Sequence, residues 1–412
     1  MNLSAALDQY MNICLQALSN ATYKVGATYV PIGNRLKQLV TNILLLHMVL
    51  PRKINFTQME RYGIHTEKTY REAHRVEIDW VDINISLMQM VFKAGERLAH
   101  AIDPSYIKKS GKATPWTDKF WSGCAGAAIW GLEILGMSVI NIDQHECFAL
   151  RAEQTPDNGS LGLAKFTQME WYIAMLRKHA KKLLAISKYV VADAAFSNKP
   201  FIDRLLRQNF HLVSRLRDDA RLKYLYDGPH EKRRGPKRKY DGFIDRKSLD
   251  LAKMQEIHVE GVVGNLYTLI AYSVSLERNI RLVIWKMPKG STKLFFSTDT
   301  EMSGADVVEF YKTRFQIEFV FRDSKEFTGL CDSQARDLDK MDFAFNAALC
   351  STNIAKVLRH QSGVDISMAR LKSLMVNQYL TREIISMSAR RPDFILIQRI
   401  NQALVDFEIN AA

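Results

Sequence analysis

The run Ser303-Gly-Ala-Asp-Val-Val-Glu-Phe-Tyr-Lys-Thr-Arg-Phe-Gln-Ile-Glu-Phe-Val-Phe-Arg-Asp-Ser-Lys-Glu-Phe-Thr-Gly329 decides how the rest of the chain is read. Ser303 followed by Asp306 has the form of a helix-capping box, and Gly329 suits the residue just beyond a helix end. The spacing predicts one helix over 304–328. At about 100° per residue, Tyr311, Arg314, Glu318, Arg322 and Lys325 fall on one narrow stripe. Phe310, Ile317 and Phe321 flank it on one side, and Phe315 and Phe319 on the other. A polar stripe walled by apolar groups must be paired or must bind something. One carboxylate among several cations suits a metal-binding Glu beside groups that hold phosphates. The plainer reading is an internal ion-pair cluster of Glu318 with Arg314 and Arg322 at i−4 and i+4.

Upstream, the periodicity becomes that of a sheet. Arg97-Leu-Ala-His-Ala-Ile-Asp103 reads as a strand stopped by Pro104. Strands follow near 128–142 and 146–153, and then helical spacing over 162–186 sets Leu163, Phe166, Met169, Ile173, Leu176 and Leu183 or Leu184 on one side. Tyr189-Val-Val-Ala192 is a short apolar run typical of a buried parallel strand. It ends on Asp193. A helix near 198–208 and a strand at 211–215 complete a β-β-β-α-β-α-β order, which implies a mixed α/β sheet. Asp193 then stands at the carboxyl end of a buried strand, where open α/β sheets place ligands.

The flanks differ in character. Residues 1–95 read as mostly helical, and 55–71 resemble a helix, a Gly-containing turn and a second helix capped by Thr66, with Lys68, Arg71 and Arg75 available to DNA. Residues 218–300 read as a β-rich insertion, with strands at 256–263, 266–273, 280–286 and 293–297. Residues 301–360 return to the core, and 361–412 read as helical. The insertion carries the loop Glu231-Lys-Arg-Arg-Gly-Pro-Lys-Arg-Lys-Tyr240, whose Lys232, Arg233, Arg234, Lys237, Arg238 and Lys239 suit a DNA backbone. A solvated loop is the alternative.

With 57 basic and 44 acidic residues the formal net charge is +13, which favours a polyanionic partner, nucleic acid ahead of anionic membrane. Five cysteines without a CxxC pair fit reduced thiols in a cytosol and exclude a disulfide framework. The weakly polar stretch 122–142 contains Glu133 and several glycines and reads as paired core strands, not a membrane span. A cytoplasmic protein is expected.

Tyr311-x2-Arg314-x3-Glu318-x6-Lys325 resembles the YREK signature of bacterial insertion-sequence transposases of the DDE superfamily, with Phe315 where that family often has Trp. Val190-Val-Ala-Asp193 and Ala101-Ile-Asp103 are similar to the segments holding that family's two aspartates. Asp143, near a hairpin tip, is the rival for the first. The resemblance implies an RNase H-like mixed sheet flanked by helices, with the β-rich insertion and the N-terminal helical domain outside it. It implies that Asp103, Asp193 and Glu318 bind two Mg²⁺ ions, with Mn²⁺ as a substitute, and that Tyr311, Arg314 and Lys325 lie on phosphates. It also implies a homodimer acting on double-stranded DNA, at element terminal inverted repeats and target, in the bacterial nucleoid. Excision through a DNA hairpin and strand transfer would follow. Arg215, Arg217 and Arg322 point to the same DNA channel, and Trp285 is a candidate to stack a flipped base, against ordinary strand packing. Two other readings stay open, a non-catalytic DNA-binding regulator and another RNase H-like nuclease such as a resolvase.

Overall fold

The computed structural model describes residues 3–111, 113–229, 237–388 and 392–410. The chain opens with helix α1 (Ala6–Ala17), a hairpin of β1 (Thr22–Val25) and β2 (Thr28–Pro31), and helices α2 (Asn34–Val49), α3 (Phe56–Tyr62), α4 (Glu67–Ala73) and α5 (Trp80–Gln89). Strands β3 (Leu98–Lys108), β4 (Asp118–Ser122), β5 (Ala127–Asn141) and β6 (Glu146–Gln154) follow. Next come α6 (Asn158–Leu163), α7 (Gln168–Leu184), β7 (Tyr189–Val191), α8 (Lys199–Leu206) and β8 (His211–Arg215). The insertion is β9 (Leu222–Leu225), β10 (Tyr240–Phe243), β11 (Gln255–Ile257), β12 (Asn265–Ser273), β13 (Arg278–Lys286) and β14 (Thr292–Ser297). The chain closes with α9 (Gly304–Thr313), α10 (Gln316–Phe327), α11 (Leu338–Ser362), α12 (Met368–Met387) and α13 (Phe394–Asn410).

The centre of the sheet runs β8-β7-β3-β5-β6. Strands β3, β7 and β8 are mutually parallel, and β5 lies antiparallel to both β3 and β6. This is an RNase H-like mixed sheet flanked by helices. The insertion shares it, because β14 pairs with β8 and carries β13, β12 and β9 outward in turn. Alternation splits the apolar residues between two cores. Ile102, Leu135, Met137 and Val139 pack with Ile173, Leu176 and Leu183 of α7. Ala99, Ala101, Ile107, Leu132 and Ile134 pack with Val307 and Val308 of α9 and Ile317, Val320 and Phe321 of α10.

Among the described residues the outer edge of β6 has no strand partner, and α11 covers it. Asn353 accepts from Ala149 N (3.2 Å) and donates to Ala149 O (2.7 Å). One heptad earlier, Asn346 makes the same pair with Ala152 (2.9 and 3.0 Å). Lys356 Nζ reaches Cys147 O at 2.6 Å. Unpaired edge groups would otherwise be buried without partners. Side chains of α11 therefore substitute for a strand, which explains why a 25-residue helix can carry asparagines at its buried surface.

The strand expected at 256–263 is only β11, and three readings nearer the sheet centre also need correction. β3 does not stop at Pro104 but continues to Lys108. Past Ala101 it is flanked only by β5, so the missing N–H has room on the open side. Leu163 is 90% exposed and Phe166 42%, because a break after α6 swings them off the core face of α7. The expected single helix over 304–328 is two, α9 and α10, with Arg314 and Phe315 between them. Thr313 Oγ1 donates to Phe310 O (2.8 Å), the carbonyl that Arg314 N would take in a continuous helix. Arg314 N bonds Tyr311 O instead (3.1 Å), and the local turn tightens.

Candidate active site

Asp103 lies in β3 directly opposite Gly136 of β5. The parallel register of β3 with β7 matches Ala101 to Val191, so Asp103 stands level with Asp193 on the neighbouring strand. Asp193 begins the turn after β7, where its Oδ1 accepts from Ala195 N (2.9 Å) and Ser214 Oγ donates to its carbonyl (2.9 Å). Alternation turns Asp103 and Gly136 toward α10. A methyl at Gly136 would sit 2.3 Å from Phe321 Cζ, so Gly136 is what lets α10 lie down against β3 and β5. That close approach brings Glu318, at the start of α10, to the same end of the sheet.

The guanidinium of Arg314 links the acids. Its Nη2 donates to Glu318 Oε1 at 2.8 Å, and its Nη1 stands 3.6 Å from Asp103 Oδ1. Burial pushes the Asp103 carboxyl up to about 7. Arg314 opposes that rise, while the charges of Asp193, Glu318 and Glu133 add to it. Among the described residues no three His, Cys, Asp or Glu groups stand close enough together to hold a metal ion. Asp103 and Glu318 are held by Arg314 instead, and Asp193 stands on the neighbouring strand. Their chemistry nevertheless fits a hard divalent cation: oxygen donors only, neighbouring acids that add to the rise at Asp103, and a cationic side chain already bridging two of them. Glu318 is 53% exposed along its side chain, so its rotation onto a cation meets little resistance.

The other sequence-predicted residues divide. Tyr311 joins the cluster: it packs on Phe295 (4.9 Å between ring centres), and the charges of Arg314, Arg215 and Asp193 all reach it. Arg215, at the end of β8, has a buried Nε without a hydrogen-bond partner and a loose contact with Asp218 (3.8 Å). Lys325 turns to β3 and donates to Tyr106 O (2.9 Å). Arg322 does not reach Glu318. It lies over the Phe319 ring and pairs with Asp323 (3.1 Å). Phe315 and Phe319 are 42% and 39% exposed, so the stripe is walled on one side only. Arg217 is exposed beside Asp219.

In the basic loop, Lys232, Arg233 and Arg234 lie outside the described residues. Lys237 is exposed, Arg238 stacks on Tyr226 and pairs with Asp241, and the Lys239 carbonyl accepts from Tyr226 N (3.0 Å). Trp285 is occupied by packing: its Nε1 donates to Val263 O (3.0 Å), and its ring stacks on Phe295. Asp143 sits at the opposite end of β3, beyond the Leu98–Asn141 pair, bound to Arg97, which also holds Asp306 and Glu309 of α9 (2.7 and 2.6 Å). In the helix pair at 55–71, Thr66 caps α4 as its sequence suggests (3.3 Å from Thr69 N). Arg71 there is paired with Glu67, and Arg75 lies near Glu72 and Asp337.

Two contributors escaped the sequence reading. Glu133 is buried on the α7 face, where Thr155 Oγ1 (2.8 Å), Gln168 Nε2 (2.7 Å) and the Tyr172 hydroxyl donate to one of its oxygens. A lone Glu in an apolar strand was its only signal. Gly136 is the other, and in a sequence a packing glycine looks like any other.

Parallel strands, one carrying Asp103 and the next leading into Asp193, with a late helix bringing Glu318 toward them, have the arrangement of an RNase H-like nuclease fold. Residues 47–260 match a family model described as DDE superfamily endonuclease, and residues 169–354 match one described as Transposase DDE domain. The first match spans just over half of the chain, and the chain belongs to the DDE superfamily of endonucleases. It is a DNA-cleaving enzyme of transposase type, DNA is its partner, and domains of this kind use divalent metal ions. The first matched segment contains Asp103 and Asp193, and the second Asp193 and Glu318. No curated protein matches the chain. Among the described residues no helix is long and apolar enough to cross a membrane.

Proposed function

We propose that this chain excises an insertion sequence and joins its 3′ ends to target DNA, with Asp103, Asp193 and Glu318 as the acids of one catalytic centre. The bridging of Asp103 and Glu318 by Arg314, with Asp193 level on the adjacent strand, is the observation that carries this reading. Asp103 and Asp193 would hold one Mg²⁺, and Asp103 and Glu318 a second, with Mn²⁺ able to replace either. Bound there, two such ions lower the pKa of an attacking water or 3′-hydroxyl and stabilise the leaving oxygen.

The remaining work falls to the protein's own side chains. Once released from the carboxylates, Arg314 offers a planar fork to a phosphate, and Lys325 a point charge. Tyr311, held on Phe295, orients the Arg314 fork, and Arg215 has an Nε still to satisfy. Arg217, Arg322, Lys237, Arg238 and Lys239, with Lys232, Arg233 and Arg234, extend the cationic surface along the DNA backbone.

In this reading residues 1–95 bind the terminal repeat, 96–217 and 301–360 make the catalytic core, and 218–300 shape the DNA beside it. Residues 361–412 join two copies into a dimer, and excision passes through hairpin ends. The YREK spacing supports this assignment. A labelled element-end duplex with Mg²⁺ tests it. Glu318→Gln loses cleavage by a factor of about 10³ or more while end binding is kept, since only the bound charge near the reacting phosphate is removed. Unchanged cleavage overturns the site, and nicking without joining overturns the transposition.

A further inference from the structure

Beyond Lys108, where β3 ends, the β4–β5 ribbon continues alone. Its register sets Lys119 opposite Trp130 and Trp121 opposite Ala128. Trp121 is 64% exposed and Trp130 40%, and Lys119 is exposed between them. Large indoles left in solvent on a two-stranded ribbon are costly unless something covers them. The pleat identifies the face. Leu132, Ile134 and Gly136 point to α10, and an uninterrupted register extends that alternation to Trp130. The two tryptophans and Lys119 thus continue outward the same face that presents Asp103. Asp118, the one acid among the paired residues 118–122 and 127–131, points to the other face, where it accepts from Asn158 N (3.0 Å) and Nδ2 (2.9 Å).

We propose that this ribbon is a stacking platform for unpaired bases of the DNA strand flanking the cleaved bond, with Lys119 on its backbone. The proposal rests on the active-site reading above. A cation between exposed indoles, with the acid removed to the far side, matches an anionic polymer whose units carry flat apolar faces. From Gly136 to Trp130 is six residues, about 20 Å at ~3.3 Å each. The platform therefore meets DNA about six nucleotides from the scissile phosphate, at 3.4 Å per nucleotide. Bases in an intact duplex hide their faces, so opened DNA is the preferred occupant.

The test uses the full-length protein and two duplexes of one sequence, fully paired or with unpaired bases about six nucleotides from the cut. Fluorescence anisotropy reads affinity for each. Trp121→Ala with Trp130→Ala loses roughly tenfold to hundredfold on the opened duplex and little on the paired one. Trp121→Phe with Trp130→Phe restores most of the loss, which also guards against a folding defect in the alanine variant. Equal affinities for both DNAs in the unsubstituted protein, or equal losses on both in the alanine variant, overturn the platform. So does a change of sedimentation mass with DNA binding intact, which would make the ribbon a contact between copies. Glu318→Gln keeps the preference for opened DNA, so failure of the catalytic assignment is seen separately.

Discussion

Arg314 Nη1 lies 3.6 Å from Asp103 Oδ1, and the same guanidinium donates to Glu318. A cationic side chain therefore stands where a metal-dependent nuclease needs positive charge. Without it, Asp103 and Glu318 would lose the cation that offsets their repulsion of each other and of Asp193.

That bridge predicts a competition between Arg314 and added cations. Arg314→Gln lowers the thermal midpoint without metal, by the equivalent of about 1–3 kcal/mol for a partly buried pair that loses one partner. Mg²⁺ or Mn²⁺ then raises the midpoint more in the variant than in the unsubstituted protein, because ligand binding stabilises the folded state by mass action. Differential scanning fluorimetry with and without metal decides it, and an equal rise in both proteins counts against the bridge.

Asp103→Asn stabilises and inactivates at once. The Asp103 carboxyl is held at about 7 in the fold, above its usual range near 3.8. Between those values the folded state binds more protons than the unfolded one, so stability falls as pH rises through about 7. Asparagine removes that loss. The gain, about 1–3 kcal/mol, is largest at pH 8 and fades toward pH 4. Chemical denaturation at both pH values, without metal, measures it. Loss of stability at pH 8 contradicts the assignment of burial and repulsion at this carboxyl.

Gly136→Ala tests how α10 is seated. The added methyl meets Phe321 at 2.3 Å, so helix or strand must shift. Overpacking of this kind costs about 1–3 kcal/mol. Cleavage falls as well, because Glu318 rides on the displaced helix. Phe321→Leu in the same chain gives the methyl room and recovers part of both, whereas a silent Gly136→Ala refutes the packing argument.

Acid destabilises this fold through buried imidazoles. Burial lowers His47 and His100 to about 4 and His74 to about 3. His179 is lowered to about 4 in the same way. With folded values below the ordinary 6.5, the unfolded state binds more protons in between, so stability is full above 6.5 and is lost as pH falls toward 4. Asp103 and Asp342, raised to about 7 and about 6, act in the opposite sense but are fewer. The urea midpoint falls from pH 7 to pH 5, and His47→Asn, which can still donate to Thr328 O as Nδ1 does at 2.8 Å, flattens the slope. A midpoint that rises on acidification contradicts the burial of these rings.

The helix at 304–328 was readable because its cap, stripe and C-terminal glycine are local, yet its break was not. The break depends on one hydroxyl, Thr313 Oγ1, taking a carbonyl from the backbone. Pro104 misled for a related reason. Proline ends a strand flanked on both sides, but β3 has lost one neighbour by that point. Asn346 and Asn353 read as ordinary polar residues of a helix until the free edge of β6 is seen beside them.

By itself, the sequence determined the mixed α/β class, the strand that carries Asp103 and the one that leads into Asp193, and the helical spacing that joins Tyr311, Arg314 and Glu318. Each is set by periodicity and short-range chemistry within a few turns of chain. Only the tertiary structure decided that Arg314 reaches across to Asp103, that Gly136 admits Phe321, that α11 closes the edge of β6, and that Arg322 turns away. The first three join residues far apart in the chain, and all of them depend on register and close packing, which no local pattern encodes.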